Sequence, residues 1–357
     1  MSIYLMFLII AFIATSLLVA LLKLLGRNYP IATPQLTAKE QPAPLGGIAI
    51  YFGFITALLV LLCLDLKERE FRLVMEQRQL LALSIGAAMV SMIGLIHDIF
   101  PLSPLIRTSV YLLAALLLVV GGIGSDLAWL KIGTLPWPGD PLFLGTGIFT
   151  IIWTVCLIWC FTLLDRGDGI VAGITMIAAV FLFVLANLQH DHLVALFGLI
   201  LAGTMTGMFW HQIPPATIRS GSMGSGFVGF MLAVLTLRCA NTLQQPLRTA
   251  YPQSCTAGLA MCQPFLLVLI PTIAILLILR TQRRLTARNH TAVAIAKPLA
   301  GQILSLSLGL TIGCGAATLL ICQVSSQQLA LCALLAEFVI TFIIVRARIH
   351  SLGQERN

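Results

Sequence analysis

The chain has 357 residues, of which 59% are hydrophobic and only 10% charged, with a mean hydropathy of +1.00 and a formal net charge of +8. Soluble domains carry about 25% charged residues, so this composition excludes a soluble enzyme, a disordered chain and a coiled coil. The apolar residues gather in runs near the ~20 residues that a helix needs to cross about 30 Å of hydrocarbon, whereas a transmembrane barrel shows ~10-residue alternating segments. The predicted fold is therefore all-α: a polytopic membrane protein forming one embedded domain over residues 1–357, with a short tail at 347–357.

In chain order the runs predict eleven spanning helices, at residues 3–25, 45–65, 80–97, 105–123, 143–164, 169–187, 194–211, 223–240, 259–279, 299–322 and 328–346. The first run lacks a basic leading segment and is too long for a signal-peptide core, so it reads as a spanning helix. An odd number of spans puts the two ends of the chain on opposite faces. The side with the odd-numbered loops and the C-terminal tail holds fourteen Lys and Arg residues, the other side seven, four of them between Lys67 and Arg78. The positive-inside rule then puts the N-terminus outside and the C-terminus in the cytoplasm. The same topology explains the net charge of +8, because the basic residues are spread among loops without aromatic interleaving and do not mark a nucleic-acid surface.

On this topology the unusual polar segments are all cytoplasmic: PAPLGG before the second helix, HDIFPLSP after the third, DRGDG after the fifth, RSGSMGSG before the eighth and RTQRRLTARNH after the ninth. The outer segments SDLAWLKIGTLPWPGDP and NTLQQPLRTAYPQSCTAG read as connectors with Pro and Gly turn signals. Six of the nine cysteines (Cys63, Cys156, Cys160, Cys314, Cys322 and Cys332) lie in apolar runs and read as small hydrophobes. Cys239, Cys255 and Cys262 lie near one outer loop, where they are either free or joined by a bridge from Cys255 to Cys262 or Cys239.

Ionisable groups at membrane depth are costly and point to function. The inner face has few carboxylates, chiefly Asp98, Asp165 and Asp168, with Glu40 and Glu355 further off. Asp165 and Asp168 are three residues apart, so one helical turn would bring them to one side, where with Asp98 they could hold Mg²⁺ through carboxylate oxygens. The other reading makes Asp165 and Asp168 caps of the sixth helix, paired with Arg166. The segment SGSMGSGFVGF offers either a phosphate site at a helix N-terminus or small residues for close helix packing. Glu337 is predicted mid-span, as a protonated or hydrogen-bonded interior residue, and His190 and His192 flank Asp191 in an exposed outer turn, with a metal pair as the other option.

The segments PLGGIAIYFG, GLIHDIFPLSPLIR, LLDRGDGIVAG and GSMGSGFVGF, in that order, resemble the polyprenyl-phosphate N-acetylhexosamine-1-phosphate transferases, glycosyltransferase family 4, over roughly residues 20–290. The eleven-helix layout is similar to that of the branch that starts O-antigen and enterobacterial common antigen. The resemblance implies a bacterial inner-membrane protein of envelope polysaccharide synthesis that uses Mg²⁺. At the cytoplasmic face, undecaprenyl phosphate would attack the β-phosphate of a UDP-N-acetylhexosamine such as UDP-N-acetylglucosamine. It also implies the bilayer, these two substrates, and either a second copy or a polysaccharide-assembly protein as partners.

Carried over position by position, the resemblance implies Asp98, Asp165 and Asp168 as catalytic residues, with Asp98 and Asp168 as metal ligands. Gly46, Gly47, His97, Gly169, Arg219, Gly221, Ser222, Arg283, Arg284 and His290 would bind substrate. The chain departs from the family where chemistry is carried. The paired aspartates after the third helix become His97 and Asp98. The motif N-x-x-N-x-x-D-G-x-D-G falls on Thr162, Asp165, Asp168, Gly169, Val171 and Ala172, and Ser222 stands where F-M-G-D-x-G-S has its Asp. An intramembrane Asp would fall near Ile273, and a histidine cluster is reduced to His290. The expectation is a homologue with a partly lost active site: either a transferase with altered metal demands, or a non-catalytic protein that binds polyprenyl phosphate or a partner. His97 could bring a softer metal such as Zn²⁺ to such a site. An unrelated transporter is the third reading; it would show internal repeats and discontinuous helices, and no convincing repeat relates the two halves.

Overall fold

A computed structural model describes residues 2–28, 45–68, 77–124, 141–165, 169–212, 218–250 and 264–278, together with 309, 311–314 and 316. The described secondary structure is helical apart from turns and a single bridge residue at Ile218. In order the helices are α1 (Ser2–Asn28), α2 (Gly46–Glu68), α3 (Gln77–Ile99), α4 (Pro104–Val120), α5 (Pro141–Leu164), α6 (Ile170–Leu188), α7 (His192–Gln212), α8 (Gly221–Ala250) and α9 (Pro264–Ile278). They correspond to the first nine predicted spans. The predicted tenth and eleventh helices and Glu337 lie outside the described residues, apart from a short helical stretch at 311–314.

Six of these helices are long and apolar enough to cross a membrane, and α2, α4 and α9 contain shorter apolar stretches. In lipid every backbone polar group must be satisfied within the protein, which leaves helices as the economical solution for such runs. Buried hydroxyls obey the same constraint. Thr15, Ser91, Thr154, Thr175, Thr204 and Thr272 each donate to the carbonyl four residues earlier in their own helix.

Helix α8 is the centre of the bundle, in contact with α2, α3, α5, α6 and α7, whereas α1 lies at the edge against α2 and α7. Burial follows this order: 94% of the α8 span lies inside the protein, against 22% of the α1 span. Leu5, Ile9, Ile13 and Leu17 of α1, like Leu105, Leu112 and Leu116 of α4, are exposed to the surroundings, at no cost where the surroundings are acyl chains. Close approach between the helices depends on small residues. A Cβ on Gly229 would lie 2.9 Å from Ile158 Cα of α5, and one on Gly207 of α7 would lie 2.8 Å from the Phe12 carbonyl of α1. Such close backbone approach is how helices gain packing energy when lipid supplies no hydrophobic drive between them.

Helix α8 runs on to Ala250, through Pro246, where the sequence predicts a connector from residue 241. Proline removes one backbone bond and crowds one turn, and here that does not end the helix. Cys239 is buried within α8, and Cys255 and Cys262 lie outside the described residues. The turn between α6 and α7 is more structured than its sequence implies. Asp191 Oδ1 accepts the N–H groups of Leu193 and Val194 at 3.2 Å and caps α7, and His192 Nδ1 is 2.7 Å from the Tyr4 hydroxyl. His192 is thus tied to α1 through Nδ1.

Candidate functional site

The ends of α3, α5 and α7 and the starts of α2, α6 and α8 meet at one end of the bundle. Helix α8 begins at Gly221 in a left-handed conformation (φ +71°) that favours glycine. Glycine here turns the chain so that the first N–H groups of α8 face the end of α3. Asp98 takes them: its Oδ1 accepts from Ser222 N–H at 2.9 Å and its Oδ2 from Met223 N–H at 3.1 Å. A carboxylate at a helix N-terminus satisfies orphan donors and complements the helix dipole.

The glycines of the PLGG segment make this approach possible. Gly46 donates its N–H to the Arg219 carbonyl at 3.0 Å, and a Cβ on Gly47 would lie 2.5 Å from Gly224 N. A Cβ on Gly94 would lie 2.6 Å from Met223 Cα. Backbone therefore lies on backbone where α2 and α3 close over α8. The small residues of SGSMGSG act in packing, and the N–H groups of Ser222 and Met223 hold a carboxylate of the chain itself.

Asp165, at the end of α5, is buried, with Arg219 Nε 3.6 Å from its Oδ2 and Arg219 Nη2 donating to its backbone carbonyl at 3.2 Å. The predicted capping of α6 by Asp165 is therefore corrected: the N-cap is Gly169, at φ +73°, and the side chain of Asp165 is turned to an arginine 54 positions later. Asp168 and Arg166 lie outside the described residues, as do Arg283, Arg284 and His290. Gly169 lies against the end of α7, 3.5 Å from the Gln212 carbonyl to its would-be Cβ, and the buried Gln212 amide donates to the buried Ser220 hydroxyl at 2.7 Å.

Beside Asp98, His97 has an N–H donor against each ring nitrogen: Leu102 N–H at 3.0 Å from Nδ1 and Arg107 Nη1 at 3.1 Å from Nε2. A neutral imidazole has one acceptor nitrogen, so no lone pair of His97 is left for a soft metal. Arg107 is itself buried at 8% exposure, donates through Nε and Nη2 to the Tyr111 hydroxyl, and lies 4.9 Å from the Trp159 ring centroid. The indole face stabilises the guanidinium by a cation–π interaction. Arg107, Tyr111, Trp159, Gln212 and Ser220 are absent from the site residues read from sequence. One signal was available: an arginine in the second turn of an apolar helix is costly enough to need a purpose.

Mg²⁺ requires near-octahedral oxygen ligation, usually with one or two carboxylates. Among the described residues no three His, Cys, Asp or Glu side chains come together. The oxygens of Asp98 are directed at backbone N–H groups and Asp165 faces Arg219. The described carboxylates do not fit a Mg²⁺ site.

Residues 80–240 match the model of a family described as glycosyl transferase family 4, an interval that contains Asp98, Asp165, Arg219 and Ser222. The chain is 24% identical over 243 residues to a probable undecaprenyl-phosphate N-acetylglucosaminyl 1-phosphate transferase of Bacillus subtilis, covering 64% of this chain and 62% of the relative. It is 29% identical over 252 residues to a decaprenyl-phosphate N-acetylglucosaminephosphotransferase of Mycolicibacterium smegmatis, covering 66% and 59%. A shorter match, 38% over 95 residues, joins it to a phospho-N-acetylmuramoyl-pentapeptide-transferase of Limosilactobacillus reuteri, covering 26% and 29%. The chain spans about three fifths of the length of the first two relatives.

Proposed function

We propose that this homologue of the polyprenyl-phosphate N-acetylhexosamine-1-phosphate transferases binds a polyprenyl phosphate at the Asp98–Ser222 end of its bundle and does not transfer a sugar phosphate. The observation that carries this reading is the pair of bonds from Ser222 and Met223 to Asp98. Transfer between two polyanions needs a cation to neutralise charge building up in the transition state. Here the surviving Asp98 caps a helix, and Asp165, a carboxylate where the motif has an asparagine, faces an arginine.

Retention of lipid binding is supported by the surroundings of Asp98. Phe100 is 66% exposed and Leu105 79% exposed, next to the loop that joins α3 to α4. These apolar side chains suit a polyprenyl chain, and Arg219, partly exposed at the same end, suits its phosphate. The fourteen basic residues of the odd-numbered side support a cytoplasmic-facing site in a bacterial inner membrane.

The test uses the purified full chain with radiolabelled UDP-N-acetylglucosamine, undecaprenyl phosphate and Mg²⁺ or Mn²⁺. The expected result is no lipid-linked sugar above a heat-killed control at high protein concentration, together with polyprenyl phosphate in lipid extracted from the protein. Product above the control overturns the reading in favour of a working transferase. The relatives' names favour that second reading, as does the carboxylate that Asp165 adds where the family motif has an asparagine. Absence of polyprenyl phosphate from the extract, with no measurable binding, overturns the binding half.

A further inference from the structure

At the edge of the bundle, away from Asp98, α1 and α7 carry a polar cluster that the proposed function does not use. Lys23 Nζ is 3.0 Å from His211 Nδ1, and Ser16 Oγ is 3.4 Å from His211 Nε2. Lysine can only donate, so Nδ1 accepts, the ring proton lies on Nε2, and the serine oxygen receives it. The imidazole is thereby fixed in one tautomer and holds the ammonium in place.

The position of the cluster along the membrane normal follows from its neighbours. His211 precedes Gln212, whose amide reaches Ser220 just before α8, so the cluster lies at the same end of the bundle as Asp98. A lysine near the end of a spanning helix normally extends its ammonium outward to water. Ser16 and Lys23, about 10 Å apart along α1 at 1.5 Å per residue, both reach one imidazole, so this ammonium is turned back along its helix. Two of its N–H donors remain after the bond to His211. Among the described residues the only ion pairs are Arg219–Asp165 and Arg238–Asp191, so no described carboxylate pairs with Lys23.

The surroundings fit a lipid headgroup. Trp210 is 74% exposed, beside His211 in sequence, and tryptophan concentrates at headgroup level. Along α1, Leu17, Leu21 and Leu24 are exposed, a surface that acyl chains would cover. Basic pockets between spanning helices are suited to anionic headgroups. We propose that the α1–α7 edge binds an anionic phospholipid, its phosphate accepting hydrogen bonds from Lys23, with His211 as the positioning residue and Trp210 at the level of the headgroup.

The test is native mass spectrometry of the full chain with phosphatidylglycerol and, in parallel, phosphatidylethanolamine. Wild type is expected to retain phosphatidylglycerol in preference, Lys23→Gln to bind it about fivefold more weakly, the factor for one lysine at an anionic surface, and Lys23→Arg to keep the preference. Gel filtration confirms that each variant is folded. No preference in wild type, or equal binding by Lys23→Gln, overturns the proposal. Polyprenyl phosphate is measured in the same samples and is expected to be unchanged in Lys23→Gln. Loss of both lipids together overturns a separate site, whereas absence of polyprenyl phosphate from wild type alone counts only against the proposed function.

Discussion

Asp98 Oδ1 accepts the backbone N–H of Ser222 at 2.9 Å, and this bond ties the end of α3 to the first turn of α8 across 124 positions of sequence. The second oxygen does the same for Met223, which is itself buried. An asparagine at 98 keeps one acceptor and turns an N–H₂ group towards a buried N–H donor. Asp98→Asn is therefore expected to lose about 1–3 kcal/mol, the cost of leaving a buried donor unsatisfied. Its melting temperature in detergent should fall well below that of wild type. An unchanged melting temperature would show that the carboxylate is not a structural cap.

The close approach of α2 and α3 to α8 gives a graded set of glycine substitutions. Gly47→Ala puts a methyl 2.5 Å from Gly224 N, and Gly94→Ala puts one 2.6 Å from both Met223 Cα and the Ser222 carbonyl. The atoms they meet are backbone and cannot rotate away, so each change should cost about 1–3 kcal/mol, as overpacked cores do. At Gly313, also helical, a Cβ meets nothing within 4 Å among the described residues, and alanine is expected to be neutral or to stabilise by up to ~1 kcal/mol. Thermal melts of the three variants check the contrast.

Arg219 and Asp165 are expected to be energetically coupled. The arginine side chain is 33% exposed and the aspartate 4%, so solvent screens the pair only from one side. Arg219→Met removes the guanidinium from a buried carboxylate and should cost more than Asp165→Asn. The double variant should recover part of the loss, giving a coupling energy of about 0.5–3 kcal/mol in a double-mutant cycle. Additive single effects would show that the two side chains are neighbours without mutual stabilisation.

His97 has a donor on each ring nitrogen, which a neutral ring cannot satisfy at both. A carboxylate can accept from several donors at once, and one oxygen of an aspartate occupies nearly the place of Nδ1. His97→Asp is therefore expected to raise the melting temperature, by an amount equivalent to about 1 kcal/mol for one added charge-assisted bond. A fall would mean that the imidazole's bulk matters more than its hydrogen bonding.

The nine described helices were legible in the sequence because long apolar runs admit few other structures in lipid. Gly46 and Gly47 were legible as site residues only by resemblance; why they are glycines follows from Met208 and the Arg219 carbonyl beside one, and Gly224 beside the other. The partners of the charged groups were not legible. Asp165 could have paired with the adjacent Arg166, and nothing in the spacing pointed to Arg219. Arg107 counted in the sequence only towards topology, whereas its position depends on Trp159, one helix further on. Such pairings are decided by tertiary geometry, and helical periodicity carries no information about them.

Ser222 is where the motif resemblance has an aspartate, and its backbone already bonds to Asp98. Ser222→Asp would place a second carboxylate against the first at the start of α8. Without metal, repulsion between the two should lower the melting temperature, only partly offset by the helix N-terminus. With millimolar Mg²⁺ the pair gains a cation that binds the folded state alone, and binding to the folded state raises stability by mass action. The variant should therefore regain melting temperature as Mg²⁺ is added, whereas wild type, with its described acids engaged by backbone and arginine, should not respond. A Mg²⁺ response in wild type equal to that of Ser222→Asp would show that residues beyond Asp98 and Asp165 already complete a metal site, and would return the chain to the working transferases.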